Sequence, residues 1–260
     1  MAAKRCILSM ARGKRGRVMI AAALIVFIAA LFLCLPRATS LPPFSAALEE
    51  AARDLTAYDL SLSLDPDAGT LAVTAKIDYA NRTGDTLDTL VVRVYAGAYA
   101  DEETSPAALE ELYDLTYPEG FSPGGATVMG TWWNGEIVQN AYLDGAKTAL
   151  SVAIPPLESG ARGQLTLRMA LTVPRCAYRY GVMDGVWHLG NVLPVMAVYQ
   201  NGAWRTDEYA AIGDPFLSDC ANYAISLKLP EGCVPACTAY LTEKDGVWTG
   251  RALAVRDMAL

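Results

Sequence analysis

A single histidine, His188, stands among 260 residues, and that count decides much of the acid–base and metal chemistry open to the chain. A zinc-hydrolase H-E-x-x-H motif needs two histidines one helical turn apart, so that both nitrogens grip one ion. One histidine cannot write it. Cys233-x-x-x-Cys237 encloses Val234-Pro235-Ala236 without a second paired knuckle, so a mixed Cys/His site with His188 is not expected. Gly120-Phe121-Ser122-Pro123-Gly124 matches the letters G-x-S-x-G. The chemistry fails, because the N–H after the serine must act as an oxyanion donor and Pro123 has none. Asp65-Pro66-Asp67 reads as a turn, since the ligand series of a calcium loop is missing. No Gly-rich phosphate loop with a following Lys occurs. Trp132-Trp133, Trp187, Trp204 and Trp248 are candidates for a sugar-stacking platform, although most tryptophans of a β-sandwich pack the core.

The elements that must position these residues show in the hydrophobic period. Tyr58, Leu60, Leu62 and Leu64 alternate with Asp59, Ser61, Ser63 and Asp65. After the Asp65–Gly69 turn, Leu71, Val73, Ala75, Ile77 and Tyr79 alternate again, which predicts a β-hairpin with one buried face. Leu90, Val92 and Val94 continue the pattern beyond an Asn81–Asp85 turn. Further strands are predicted over Ala126–Thr131, Gly135–Leu143, Ala149–Ile154, Gln164–Val173 and Tyr223–Leu229, with two short ones around Val247–Trp248 and Ala252–Arg256. Ser105–Tyr113 reads as a helical interruption with Pro106 in its first turn. Many short strands between Gly and Pro turns predict an all-β fold, a β-sandwich of antiparallel sheets over 57–260.

Charge divides the chain in two. Its 21 basic and 28 acidic residues sum to −7. Residues 1–40 hold seven basic residues and no acidic one, which leaves 14 basic against 28 acidic for 41–260, a net of −14. So acidic a body has no basic footprint for phosphates, and nucleic acid is excluded as a partner. The basic residues of 1–17 precede an unbroken apolar run, Val18 to Leu35. At a helical rise of 1.5 Å this run reaches roughly 27 Å, close to the hydrocarbon thickness of a bilayer. Residues 18–35 are therefore expected to form a transmembrane signal-anchor helix, with 1–17 in the cytoplasm and the body outside. Cleavage near Ala38-Thr39-Ser40, giving a secreted protein, is the alternative. Residues 36–56 read as a juxtamembrane linker and a short helix in which Ser45 and Glu49 favour the start. Cys176, Cys220, Cys233 and Cys237 fall in the outer part, where three disulfide pairings are open and free buried cysteines fit equally.

One order of residues carries a resemblance. It begins with Tyr178-Arg179-Tyr180-Gly181 and Val186-Trp187-His188-Leu189-Gly190-Asn191-Val192-Leu193-Pro194. Trp204-Arg205-Thr206-Asp207-Glu208-Tyr209 and Gly213-Asp214-Pro215-Phe216 follow. A strand ending at Pro230 and the stretch Val255-Arg256-Asp257-Met258-Ala259 complete it. This order resembles the N-terminal domain of bacterial, membrane-anchored members of the membrane alanyl aminopeptidase family of gluzincin zinc metallopeptidases. Val192-Leu193 stand where those members carry aromatics, and Met258 where they carry Phe.

The resemblance implies a saddle-shaped β domain ahead of a thermolysin-like catalytic domain. Zinc, the H-E-x-x-H helix and the Gly-x-Met-Glu-Asn motif for the substrate amine would lie in that second domain, beyond Leu260. The chain then reads as a fragment, with no catalytic or metal residue and no cofactor of its own. Its partners would be the lipid bilayer through 18–35 and the catalytic domain in cis. Trp187, His188, Asn191, Pro194, Trp204, Asp207, Tyr209 and Asp214 are the candidate interface residues. A rigid mixture of Trp, Tyr, Asp and Gly suits an interface better than a continuous core, although turns with strand-packing aromatics fit equally. Two other readings stay open: a surface-anchored β-sandwich binding module for glycan or protein, and a self-sufficient hydrolase using Ser122 or paired carboxylates.

Overall fold

The computed structural model describes residues 44–213 and 217–260. The basic segment 1–17, the apolar run 18–35 and Asp214 lie outside these residues. Among the described residues no helix is long and apolar enough to cross a membrane.

A short helix, α1 (Ala46–Ala52), opens the described chain, and the Ser45 hydroxyl caps it by accepting from the Leu48 N–H at 3.2 Å. Its end is tied to the body: Asn222 Nδ2 donates to the Ala52 carbonyl at 2.7 Å, and Arg82 and Arg162 both donate to the Asp54 carbonyl.

Strands follow in the order β1 (Ala57–Asp65), β2 (Thr70–Ala80), β3 (Leu87–Arg93), β4 (Gly125–Trp133), β5 (Glu136–Ile137), β6 (Asn140–Tyr142), β7 (Ala149–Leu157) and β8 (Arg162–Thr172). Then come β9 (Tyr180–Met183), β10 (Val186–Leu189), β11 (Val195–Met196), β12 (Tyr199–Gln200), β13 (Ala203–Trp204), β14 (Ala221–Lys228), β15 (Tyr240–Lys244) and β16 (Val247–Val255). They form an eight-stranded sheet, β15-β16-β14-β1-β2-β8-β4-β5, and a four-stranded sheet, β11-β3-β7-β6. Two ribbons, β9–β10 and β12–β13, complete the list.

The alternation read from the sequence sets the burial. Leu60, Leu71, Ala75, Ile77, Leu165 and Leu167 are fully buried on one face of the large sheet, while Asp59, Ser61, Ser63, Lys76 and Arg168 are exposed on the other. Leu90, Val92, Leu150 and Val152 of the small sheet join the same core. Burying each such side chain is worth about 1.5–3 kcal/mol. Val91 points the other way and is still buried, under Ala149, Ala197 and Trp204. Asn81, also fully buried, links the two sheets: its Nδ2 donates to the Asp85 and Leu157 carbonyls at 2.8 Å, and its Oδ1 accepts from Thr83.

Four sequence expectations change. β1 pairs antiparallel with β2 but parallel with β14, so the large sheet is not purely antiparallel. The strand expected over Gly135–Leu143 is two pieces, β5 on the large sheet and β6 on the small one, because the chain crosses between sheets at Val138-Gln139. Val247 to Val255 is one strand rather than two, and β15 pairs beside it. The helix expected over Ser105–Tyr113 begins later, as a 3₁₀ turn at Glu110–Leu112 and α2 (Tyr113–Thr116). Ser105 is held in a turn instead, its hydroxyl sharing a 2.9 Å hydrogen bond with the Tyr117 hydroxyl and accepting from the Ala107 N–H. Cys176, Cys220, Cys233 and Cys237 are free thiols.

Candidate functional site

The loop after the β9–β10 ribbon and the segment after β13 meet through a hydrogen bond between Asn191 and Tyr209. The ribbon turns through Asp184-Gly185, both at positive φ, which suits a tight hairpin. Asn191 follows at φ 57°, a left-handed position that Asn tolerates better than most residues. Its side chain then bridges two segments. Asn191 Oδ1 accepts from the Tyr209 hydroxyl at 3.0 Å, and its Nδ2 donates to Asp257 Oδ2 at 3.0 Å. Burial raises the Asp257 carboxyl above the usual carboxylate range, opposed by the hydrogen bonds from Met258 and Asn191. The Leu189 N–H donates to the Leu260 carbonyl at 2.9 Å, so the chain's last residue is part of the same seam.

Two arginines hold the 205–213 segment. Buried Arg93 donates to the Asp207 carbonyl at 2.8 Å and to the Thr148 hydroxyl at 3.2 Å. Its guanidinium lies 4.8 Å from the Tyr95 ring centroid, and Tyr95 stacks on Tyr209 at 4.8 Å. Burial pushes the Tyr95 hydroxyl up to about 12, against the pull of Arg93, so it is neutral at physiological pH. Arg179 donates to the carbonyls of Ala210, Ala211 and Gly213, and the Tyr178 hydroxyl donates to Ala211 as well. Arg205 grips the Asp207 carboxylate through two nitrogens, at 3.0 and 2.8 Å, and those hydrogen bonds hold it below the usual carboxylate range.

Asn191, Asp207 and Tyr209 are thus brought into one network. Half-buried Trp187 and exposed His188 stand beside it, on a groove of 490 Å³ lined also by Leu64, Leu229, Val234 and Leu260. Val234 is 84% exposed there. Pro194 is buried. Trp204 is separate, packed across Tyr199 with its indole N–H donating to the Thr89 carbonyl at 3.1 Å. Sequence reasoning missed Arg93, although a lone charge inside the apolar run Leu90–Val94 was a signal.

The other motifs do not assemble chemistry. Ser122 Oγ accepts from the Arg175 N–H at 2.9 Å, and the lone histidine is on β10. Among the described residues no three His, Cys, Asp or Glu side chains cluster as metal ligands, so these residues do not fit a zinc ion. The tryptophans form no exposed row: Trp133 is buried, Trp187, Trp204 and Trp248 pack on the core, and Trp132 lies across Gly130 beneath Arg168.

No family model matches the chain, and no curated protein matches it. Solved structures do show likeness. An M1 zinc metallopeptidase from Deinococcus radiodurans shares 18% identity at a TM-score of 0.44, covering 79% of this chain and 41% of that one. Native leukotriene A4 hydrolase from Saccharomyces cerevisiae shares 10% identity at a TM-score of 0.40, covering 80% of this chain and 29% of that one. The chain therefore spans about two fifths, or less, of the structures it is similar to.

Proposed function

We propose that this chain is the non-catalytic, membrane-anchored β domain of an extracytoplasmic zinc aminopeptidase, and that it packs against and shapes a catalytic domain outside this sequence. The observation that carries the reading is the Asn191 bridge. It fixes the loop after β10, the segment after β13 and Asp257 as one platform beside an apolar groove that contains Leu260. An apolar centre with a hydrogen-bonded polar rim is the anatomy of a protein interface. On this reading Trp187 and His188 make contact, while Asn191, Asp207 and Tyr209 hold the platform. Buried Pro194 follows the Asn191 loop, and Trp204 packs elsewhere, on Tyr199 and Thr89. Zinc belongs to the other domain, and this chain contributes shape. Residues 18–35 anchor the protein with 1–17 in the cytoplasm, a reading supported by the basic cluster ahead of the apolar run.

Reading the source DNA past the Leu260 codon tests it. An open frame encoding H-E-x-x-H is the expected result, and a stop codon directly after Leu260 would refute the domain assignment. Alkaline carbonate extraction tests the anchor: the chain should stay with the membrane pellet.

A further inference from the structure

A cavity of 350 Å³ shares no lining residue with the groove beside Val234. It lies at the small end of the roughly 300–1,000 Å³ range of small-molecule sites. Its walls come from the start of β1, the end of β2, the 195–199 segment and the 218–223 segment. Seven of its sixteen lining residues carry a hydroxyl, so hydroxyls dominate its polar wall. Three of the seven, Tyr58, Tyr79 and Tyr223, are tyrosines more than nine-tenths buried. The parallel pairing of β1 with β14 sets Tyr58 beside Tyr223, and their rings stack at 4.7 Å with an interplanar angle of 9°. The two hydroxyls therefore emerge side by side. The Tyr58 oxygen accepts from the N–H of Met196, a cavity residue, at 2.8 Å, and among the described residues no acceptor meets the Tyr58 proton. The Tyr79 and Tyr223 hydroxyls meet no partner among the described residues, and neither is sealed off from the cavity they line.

These groups narrow the occupant. Arg82 and Asp219 both line the cavity, so its formal charges cancel, and Arg82 is already engaged with the Asp54 carbonyl. An ion of either sign finds no unopposed partner here. An apolar guest would displace water and strand three tyrosine hydroxyls, which is costly. The remaining class is an uncharged molecule with polar groups spread over a carbon frame that Leu55, Val195 and Ala197 can cover. A hydroxyl both donates and accepts at one atom, as each tyrosine hydroxyl does, whereas an amide keeps its donors and its acceptor on separate atoms. The small volume suits a single ring rather than a chain.

We propose that this cavity binds one uncharged sugar ring, either a free monosaccharide or the terminal unit of a glycan. The Tyr58 hydroxyl donates to it, and the Tyr79 and Tyr223 hydroxyls exchange hydrogen bonds with it. Detergent-solubilised full-length chain is titrated by calorimetry with glucose, galactose and mannose and with the methyl glycoside of each. The matching amino sugars and uronates serve as cationic and anionic controls, and cyclohexanol as the ring with one hydroxyl. Saturable binding of at least one neutral sugar is expected, with weaker binding of its charged matches and of cyclohexanol. Tyr79→Phe and Tyr223→Phe, each checked for folding by circular dichroism, should bind about three- to tenfold more weakly, the effect of losing one hydrogen bond. Tighter binding of the methyl glycoside identifies a glycan end as the source, and tighter binding of the free sugar identifies a monosaccharide. The proposal is overturned if no neutral sugar binds saturably, if a charged form binds as tightly as its neutral match, or if both folded phenylalanine variants bind as tightly as the natural chain.

Discussion

Asn191 and Asp257 stand 66 residues apart in sequence and meet through a 3.0 Å hydrogen bond that joins the loop after β10 to the end of the chain. Asn191 does this from a left-handed backbone position, so two separate properties of one side chain are in use. Asn191→Ala should cost roughly 1–3 kcal/mol in urea unfolding, by orphaning the Tyr209 and Asp257 groups. Asn191→Gly loses the same bonds but relieves the backbone, and should be the less damaged variant by about 1 kcal/mol. Equal losses in the two variants would remove the backbone from the account.

Asp257 gives the pH dependence its sign. Its folded pKa is raised above the unfolded value, first by burial, so the folded state holds the proton more tightly. Its contribution to stability therefore declines as pH rises through the interval between the ordinary carboxylate value and the raised one. Asp257→Asn, which still presents an oxygen to Asn191, should gain stability relative to the natural chain as pH climbs through that interval. Below it the two melting temperatures should converge.

The contact between Trp133 and Gly163 leaves no room for a methyl group. A Cβ at Gly163 would meet the Trp133 ring at 2.0 Å, and that ring is buried against the core. Gly163→Ala should lower stability by about 1–3 kcal/mol. Adding Trp133→Leu should recover part of that loss, a coupling that a double-mutant cycle reads directly.

Thiol reactivity should divide the cysteines. Cys176 is fully buried, donates to the Tyr180 carbonyl at 3.1 Å, and has its thiol pushed up to about 11 by burial. Cys233 lines the groove beside Val234 and is half-buried. At pH 8 iodoacetamide should label Cys233 first and Cys176 only after denaturation, as peptide mass spectrometry would show.

The sequence made the alternating strands plain and hid those whose partners are remote. β1, β2, β8 and β14 could be read because each presents one face to the core, with a period of two. β15 escaped because none of its residues is buried, so no alternation marks it. The parallel pairing of β1 with β14 was invisible, since local pattern says that a strand exists and not which strand lies beside it. The same limit applied at the platform. Its Trp, Asn and Tyr residues stood out by type, whereas Arg93 and Arg179 act on the carbonyls of Asp207, Ala210, Ala211 and Gly213, groups every residue possesses.

The position of β1 has a consequence for synthesis. Ala57 pairs with Asp78 on one side and with Asn222 on the other. At roughly 5–20 residues per second the first partner emerges within seconds, and the second only after a lag on the order of ten seconds. Until then the nascent hairpin has an open edge and an uncovered row of leucines, the state in which unfinished β proteins associate wrongly. The inner strand of the large sheet is thus among the first made and among the last enclosed. Secretion or chaperone machinery that shields an exposed hairpin during that lag should raise the yield of folded protein more than any change to the finished surface.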